Sequence, residues 1–402
     1  MMPKLSKNAV HEALARMVAI VREHGGFVHP EFEFSVDSNG ISAVAPAHLK
    51  DEVLVDVPLH LLVPAEFSGM HALGDQLVCA NAGALHREDS CSDLRLLSSV
   101  QIEILNLFLT IYNHQEMLLW AQQHLLQAQN GISLSFKAAF AAIKPDFGLN
   151  EEPSHELFLK TRFLYVSAKR SEGIFRRGLD NRNEAVRVLM PIIDFFNHHP
   201  KGSGFRVREN GLSIRAALGS ELEDSKNLVQ MYACYGGFRD VLQMAIKYGY
   251  VDEQIPYVYS APFSWFDEDF GDVHVLGERV RSKNKFHLPA VNDEQSLCFS
   301  HLLFNAEQSS YLWGTVQLIF LRRGMRMGLS KSVCALASKR FFQALVNHNL
   351  AFYTALQNEV QRTSHELTPA LCIINEACVR SMELISYIYE REIGSSESLD
   401  VK

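Results

Sequence analysis

Strand signals occur in two separate parts of this chain, and this split limits the folds that it can adopt more than any other feature. The first part, residues 32–58, contains a predicted hairpin around Asn39-Gly40, a pair that accepts the positive φ angles of a tight turn. The second part, residues 205–235, contains a similar hairpin and one further strand. Residues 95–190 have helical spacing and little strand alternation. The pattern therefore predicts a β-rich core that a helical insert interrupts.

Helical spacing returns near residue 294 and continues almost to the end of the chain. Thr368-Pro369 is suited to the start of a helix, because threonine caps the first turn and proline fits its first position. The residues that follow place apolar side chains on one face, namely Leu371, Ile374, Cys378, Met382, Ile385 and Tyr389. This stripe predicts an all-α second domain that packs through that face.

The predicted fold class is α+β, with a β-rich core, a helical insert and an all-α C-terminal domain. A chain of 402 residues, of which 47% are hydrophobic, is long enough to bury two cores. The predicted ranges are an N-terminal helix in residues 1–25, the core in 26–285, the helical domain in 290–393 and a tail in 394–402.

Charge and cysteine content argue against several classes of partner and site. A formal net charge of −8 gives no broad cationic field for a nucleic-acid backbone, so nucleic acid is not expected as a substrate. Seven cysteines form no Cys-x-x-Cys pair, which argues against a structural zinc site and a disulfide framework. Neither a membrane span nor a signal peptide is predicted, because polar or charged residues interrupt the apolar runs. We therefore expect a cytoplasmic protein, with the nucleus or delivery into another cell as alternatives. We also expect a monomer.

One ten-residue segment contains the side chains most suited to chemistry. Pro191-Ile-Ile-Asp-Phe-Phe-Asn-His-His-Pro200 places an apolar run directly before Asn197-His198. Asp194, His198 and His199 are of the types that bind metals, so a metal-dependent hydrolase is one interpretation. Adjacent histidines point apart in a helix or a strand, however, and no third His or Cys is near in sequence. The metal interpretation therefore ranks below a second one.

The second interpretation comes from the order of the motifs along the chain. Ser38-Asn-Gly-Ile-Ser-Ala43 is followed by Leu49-Lys-Asp-Glu-Val-Leu-Val-Asp-Val-Pro-Leu-His-Leu-Leu62. The ten-residue segment is then followed by Tyr235-Gly236 and by Tyr248-Gly249-Tyr250-Val251. In this order the motifs resemble the SET methyltransferases of the Rubisco large-subunit methyltransferase class. That family has a SET core with a helical insert and a helical C-terminal domain, which matches the predicted layout.

The resemblance implies a protein methyltransferase that uses S-adenosyl-L-methionine and needs no metal. By matched position, Asn197 and the backbone of His198 would contact the cofactor, and Asn39-Gly40 would be a further cofactor contact. Tyr235 would line the methyl channel and act in catalysis, while Tyr248 would wall the acceptor pocket. The protein substrate would dock on the C-terminal helical domain.

The resemblance favours lysine as the acceptor, because Ile193 stands where the histidine-modifying branch of the class has tryptophan. Histidine stays an alternative. The chain departs from the family pattern at Ser38 and Asp51, where glycine is usual, and at Arg239-Asp240, where Ser-Asn is usual. A catalytically inactive SET-like scaffold that binds proteins is therefore another interpretation.

Overall fold

The chain divides by its contacts into two compact units, in a computed structural model. The first unit is Met1–Gln123 with Ser154–Gly236, and the second is His124–Pro153 with Gly237–Lys402. The domain boundary that the sequence predicts, at residues 285–290, lies inside the second unit. The structure describes residues 7–37, 40–64, 70–73, 76–79, 97–113, 164–166, 186–208, 210–218, 228–235, 239–248, 251–277, 288–363 and 369–397.

The first unit combines two described helices with many short strands. The helices are α1 (Lys7–Glu23) and α2 (Ser99–Tyr112). The strands are β1 (Phe27–Val28), β2 (Glu33–Asp37), β3 (Gly40–Ala45), β4 (Val53–Pro58), β5 (Val63–Pro64), β6 (Met70–Leu73), β7 (Gln76–Cys79), β8 (Leu164–Val166), β9 (Val186–Leu189), β10 (Asn197–Gly204), β11 (Arg206–Val207), β12 (Gly211–Arg215), β13 (Val229–Gln230) and β14 (Tyr232–Cys234).

These strands form several small sheets. A four-stranded sheet has the order β1-β4-β12-β11, and two three-stranded sheets have the orders β13-β3-β2 and β5-β9-β8. β6 pairs with β7, and β10 pairs in parallel with β14. Both predicted hairpins are present, as β2 with β3 and as β11 with β12. In place of the one further strand predicted before residue 235, the described residues contain two short strands, β13 and β14, and Met231 between them bridges to Leu218.

Helix α1 packs through the face that its spacing predicts. Val10, Leu14, Met17 and Val21 are all buried. The helix ends at Glu23, and Gly25 follows with a φ angle of 82°, a left-handed conformation that glycine adopts without steric cost.

The helical insert predicted for residues 95–190 is described only in part. α2 begins with a capping box, in which Ser98 Oγ accepts a hydrogen bond from the Gln101 N–H and the Gln101 side chain accepts one from the Ser98 N–H. Strands β8 and β9 also lie in this range and pair with each other, so the range is not helical throughout. Strands of three or four residues are too short for alternation to reveal them. Residues 114–163 and 167–185 lie outside the described residues.

The second unit contains the C-terminal helices and a further set of strands. Its described helices are α3 (Val241–Tyr248), α4 (Ser309–Arg326), α5 (Lys331–Thr363) and α6 (Pro369–Glu397). Its described strands are β15 (Tyr257–Tyr259), β16 (Phe263–Asp267), β17 (Gly271–Val275), β18 (Val291–Asn292), β19 (Leu297–Phe299) and β20 (Leu303–Asn305). The sheet order is β16-β17-β19-β18, and β15 pairs with β20.

The core of the second unit joins these helices to the sheet through buried residues that include Phe341, Tyr353 and Ile385. The predicted all-α domain is helical in its described residues from Ser309 onward, but β18, β19 and β20 precede α4. The unit is therefore mixed, and the α+β class of the chain is confirmed. No described helix is both long enough and apolar enough to cross a membrane.

Candidate functional site

The candidate site of the first unit is built on a tight buried turn that precedes β10. Residues Ile193–Phe195 form one turn of 3-10 helix, and Ile192 before them has a φ angle of 66°. A β-branched residue in this left-handed region is strained by about 1–3 kcal/mol. The Ile192 N–H donates to Met17 Sδ at 3.3 Å, and the Asp194 N–H donates to the Met190 carbonyl at 3.0 Å. The buried surroundings therefore hold a conformation that isoleucine alone would avoid.

Aromatic rings pack against both phenylalanines of this turn. Phe196 stacks on Phe32 with ring centroids 5.5 Å apart. Phe195 lies 5.6 Å from Phe108 and 6.0 Å from Tyr112, both of which belong to α2. Helix α2 thus fixes one side of the turn and the segment before β2 fixes the other.

A buried polar contact adds to this packing. The Tyr112 hydroxyl donates a hydrogen bond to the Asp194 carboxylate, and both side chains are buried. A hydrogen bond to a carboxylate inside a protein is worth about 1.5–3 kcal/mol. Tyr112 therefore ties the last turn of α2 to the residues that lead into Asn197-His198.

The parallel pairing of β10 with β14 brings the predicted site residues together. Asn197 lies opposite Tyr232, and His198 lies opposite Ala233. The register shifts after His198, so Ser203 also lies opposite Ala233. The intervening backbone passes so close to β14 that a Cβ atom on Gly202 would lie 2.5 Å from the Ala233 carbonyl carbon. This strand pair sets the positions of Asn197, His198 and Tyr235.

Asn197 reaches the strand that begins at Gly40. Its Nδ2 donates to the Ile41 carbonyl at 3.3 Å and to Ser42 Oγ at 3.4 Å, across 156 and 155 residues of sequence. The Asn197 side chain is otherwise exposed, and Gly40 has a φ angle of 127°. Asn39, the other predicted cofactor contact of this turn, lies outside the described residues.

Tyr235 contacts both residues that flank Asn197. Its N–H donates to His198 Nδ1 at 3.1 Å, and its hydroxyl donates to the Phe196 carbonyl oxygen at 2.6 Å. The His198 and Tyr235 rings have centroids 5.1 Å apart. Tyr235 is half-buried and Phe196 is fully buried, so the Tyr235 hydroxyl oxygen and the Phe196 carbonyl oxygen form a close pair of oxygens next to the buried turn.

The metal interpretation does not gain support from this geometry. Asp194 accepts from Tyr112, His198 Nδ1 accepts from the Tyr235 N–H, and His199 Nδ1 accepts from the Lys201 N–H at 3.0 Å. Within the described part of the chain, no group of three or more His, Cys, Asp or Glu side chains is arranged to hold a metal ion.

Tyr248, the predicted acceptor-pocket residue, belongs to the second unit and is the last residue of α3. The Arg239 guanidinium lies over its ring, 4.9 Å from the centroid, which is a cation–π distance. Asp240 accepts from the Gln243 N–H at 2.8 Å and so caps the start of α3, and it also accepts from the Tyr259 N–H at 3.1 Å. The departure at Arg239-Asp240 therefore has a local structural role.

The departure at Asp51 also has a conformational explanation. Asp51 has a φ angle of 69°, which lies in the left-handed region that favours glycine. Aspartate tolerates this region better than most residues, because its short side chain hydrogen-bonds locally. Asp51 thus keeps the backbone conformation that a glycine would have, and the chain continues through Glu52 to the start of β4.

Sequence reasoning missed three groups of this cluster, namely Tyr112, the Ser42 hydroxyl and the Phe196 carbonyl. A buried carboxylate needs a donor, so Asp194 signals that a partner exists but not where it lies in the sequence. Backbone carbonyls leave no signal in the sequence at all.

Comparisons with known proteins find similar solved structures but no sequence match. Neither a scan against protein-family models nor a search of curated proteins gives a match. Among solved structures, the chain is similar to the SET domain of LSMT bound to lysine and AdoHcy, with a TM-score of 0.41 and 13% identity. The alignment covers 97% of this chain and 92% of that chain.

Proposed function

We propose that this chain is an S-adenosyl-L-methionine-dependent protein methyltransferase that acts on a lysine side chain of another protein. One cluster of contacts carries the proposal. Tyr235 bonds to the Phe196 carbonyl and to His198, and the neighbouring Asn197 bonds to β3. These segments are far apart in sequence. They are also the segments whose motifs resemble the Rubisco large-subunit methyltransferase class.

The cofactor is proposed to bind along Asn39-Gly40 and Asn197-His198. Methionine-derived cofactors present an ammonium, a carboxylate and a sulfonium, which need polar side chains and backbone groups. The Asn197 amide has both a donor and an acceptor, and its contacts with Ile41 and Ser42 use the donor side. Its exposed position beside β3 supports a role in holding the amino-acid part of the cofactor.

Tyr235 is proposed to act at the reacting atoms. Methyl transfer breaks the sulfur–carbon bond and forms a nitrogen–carbon bond, with S-adenosylhomocysteine as the leaving product. The methyl carries partial positive charge, so the close oxygens of Tyr235 and Phe196 are suited to stabilise it. The hydroxyl donates its one hydrogen to the carbonyl, which leaves its lone pairs for the methyl or the amine.

The lysine acceptor must lose a proton before it attacks. With a free pKa of about 10.4, deprotonation at pH 7 costs roughly 4–5 kcal/mol. A half-buried aromatic surface disfavours the ammonium form and so lowers this cost. The His198 and Tyr235 rings supply such a surface.

The protein substrate is proposed to dock on the C-terminal helices, and Tyr248 to contact the acceptor. The exposed faces of these helices include large apolar side chains, with Leu318 65% exposed and Met325 58% exposed on α4, and Leu336 55% exposed on α5. Exposed apolar side chains of this size are frequent at protein interaction sites.

The test is to incubate the purified chain with labelled S-adenosyl-L-methionine and a cell lysate, and to identify the labelled protein and residue. We expect a labelled lysine with the parent chain, and at least about tenfold slower transfer with Tyr235→Phe. Tyr232→Phe is the matched control, because Tyr232 lies on β14 three residues before Tyr235 and its hydroxyl donates to the Gln230 side chain at 3.1 Å. Equal rates for the parent and Tyr235→Phe would remove Tyr235 from catalysis.

Cofactor binding is measured separately by calorimetry. Asn197→Ala should weaken S-adenosyl-L-methionine binding by about 1–3 kcal/mol, because a charged group of the cofactor loses its partner. Failure of the parent chain to bind the cofactor would contradict the proposal and favour an inactive scaffold.

A further inference from the structure

Two histidines of the first unit form a pair that the proposed methyl transfer does not use. His24 follows the last residue of α1, and His60 lies in the 3-10 turn Leu59–Leu61 after β4. Their ring centroids are 5.9 Å apart, with the ring planes inclined at 59°. Both side chains are exposed. Neither imidazole makes a hydrogen bond to any residue that the structure describes, so the ring nitrogens are available.

The ring spacing suits two imidazoles that share one metal ion. With zinc–nitrogen bonds of about 2.05 Å, ring centroids lie roughly 5.1 Å apart at a tetrahedral angle and roughly 6.3 Å apart at a linear one. The observed 5.9 Å lies between these limits. Two imidazoles at this centroid separation can share one ion when one nitrogen of each ring faces it.

The backbone that joins the pair is held rigidly. A Cβ atom on Gly26 would lie 2.5 Å from Val21 Cγ1, 2.7 Å from the Asp56 carbonyl oxygen and 2.8 Å from Pro58 Cδ. Only a glycine allows α1 to approach the end of β4 this closely. Since His24 and His60 lie just outside this contact, their separation is set by the fold rather than by two mobile loops.

The local charge also favours a bound cation beside His24. The carbonyl end of α1 lies at His24 and carries the negative pole of the helix dipole. The nearby Arg22 guanidinium is itself a cation, and it donates to the Val28 carbonyl at 3.2 Å rather than to either imidazole.

We propose that His24 and His60 together bind one divalent transition-metal ion of the zinc class and thereby fasten α1 to the segment after β4. Two protein ligands leave the remaining coordination positions to water, so the ion is exchangeable. Imidazole suits zinc, nickel and copper, whereas magnesium and calcium prefer oxygen ligands. The site is independent of the proposed methyl transfer.

The test uses the full chain after treatment with a chelator. Zinc chloride is titrated by calorimetry, and melting is measured with and without zinc. We expect binding by the parent chain and a higher melting temperature in zinc, because an ion that binds only the folded state stabilises it. His24→Ala and His60→Ala should each weaken this binding at least tenfold and abolish the shift. Magnesium chloride should give neither signal.

His11→Ala is the matched control, because His11 is an exposed histidine on the same helix α1. It should bind zinc as the parent does. The double variant of His24 and His60 should lose at least as much affinity as either single variant, since one imidazole alone still binds zinc weakly. His24→Gln and His60→Gln repeat the test with side chains of similar size. The proposed site would be overturned if the variants of His24 or those of His60 bound zinc with the affinity of the parent, or if the parent chain bound no zinc.

Discussion

Gly202→Ala tests whether the close approach of β10 to β14 holds the candidate site together. A Cβ atom at this position would lie 2.5 Å from the Ala233 carbonyl carbon, 2.6 Å from its oxygen and 2.9 Å from the Cys234 nitrogen. All three atoms are backbone, so no side-chain rotation relieves the overlap. Since an ordinary contact begins at 3.4 Å, the strands must separate by about 0.9 Å.

Overpacking of this kind costs about 1–3 kcal/mol, and a clash with backbone falls in the upper part of that range. For a unit of this size, such a loss lowers the melting temperature by about 4–10 °C. Gly204→Ala is the matched control, because Gly204 lies on the same strand and its added Cβ would meet no atom within 4 Å. That variant should be unchanged or more stable by about 0.4–1 kcal/mol, since alanine restricts the unfolded chain.

The assay is thermal and urea unfolding of the parent and both variants, followed by circular dichroism, with S-adenosyl-L-methionine binding as a second measurement. We expect a lower melting temperature for Gly202→Ala and an equal or higher one for Gly204→Ala. Gly202→Ala should also bind the cofactor more weakly, because Asn197 and His198 lie on the displaced strand. If Gly202→Ala has the melting temperature of the parent or of Gly204→Ala, the strand pair is looser than the structure indicates and the reasoning fails.

Three further predictions concern packing and ionisation elsewhere in the chain. Gly324→Ala on α4 should destabilise the second unit by about 1–3 kcal/mol in urea unfolding, because its Cβ would overlap the Cys334 thiol of α5. Gly314→Ala, also on α4, has free space around its Cβ and should stabilise the unit by up to about 1 kcal/mol. Burial raises the pKa of Glu392 to about 8, so the parent chain should lose stability as the pH rises from about 4.5 to 8. Glu392→Gln should therefore melt above the parent at pH 9 and close to it at pH 4. Tyr112→Phe should cost about 1–3 kcal/mol in urea unfolding, because a buried carboxylate loses a donor.

Local chemistry explains which parts of the fold the sequence could predict. The β2–β3 hairpin closes from Asp37 to Gly40, and its turn residues alone signal the reversal. The buried face of α1 follows from spacing alone in the same way. The β10–β14 pair has no such signal, because parallel strands that lie far apart in sequence are matched only by the tertiary fold. The motif resemblance was therefore the only route to the expectation that Asn197 and Tyr235 lie close together.

Ile192 shows why the geometry of the site could not be predicted from its own residues. Positive φ angles are expected at glycine or asparagine, and a sequence pattern gives no reason to place one at a β-branched residue. Here the strained residue is fully buried and its N–H is bonded to Met17 of α1, so tertiary contacts offset the local cost. Strain that the surrounding structure maintains tends to occur at functional sites. This turn leads through Phe196, whose carbonyl accepts the Tyr235 hydroxyl, into Asn197. The same distortion therefore orients the proposed catalytic and cofactor-binding groups at once, and a relaxed turn would misplace both.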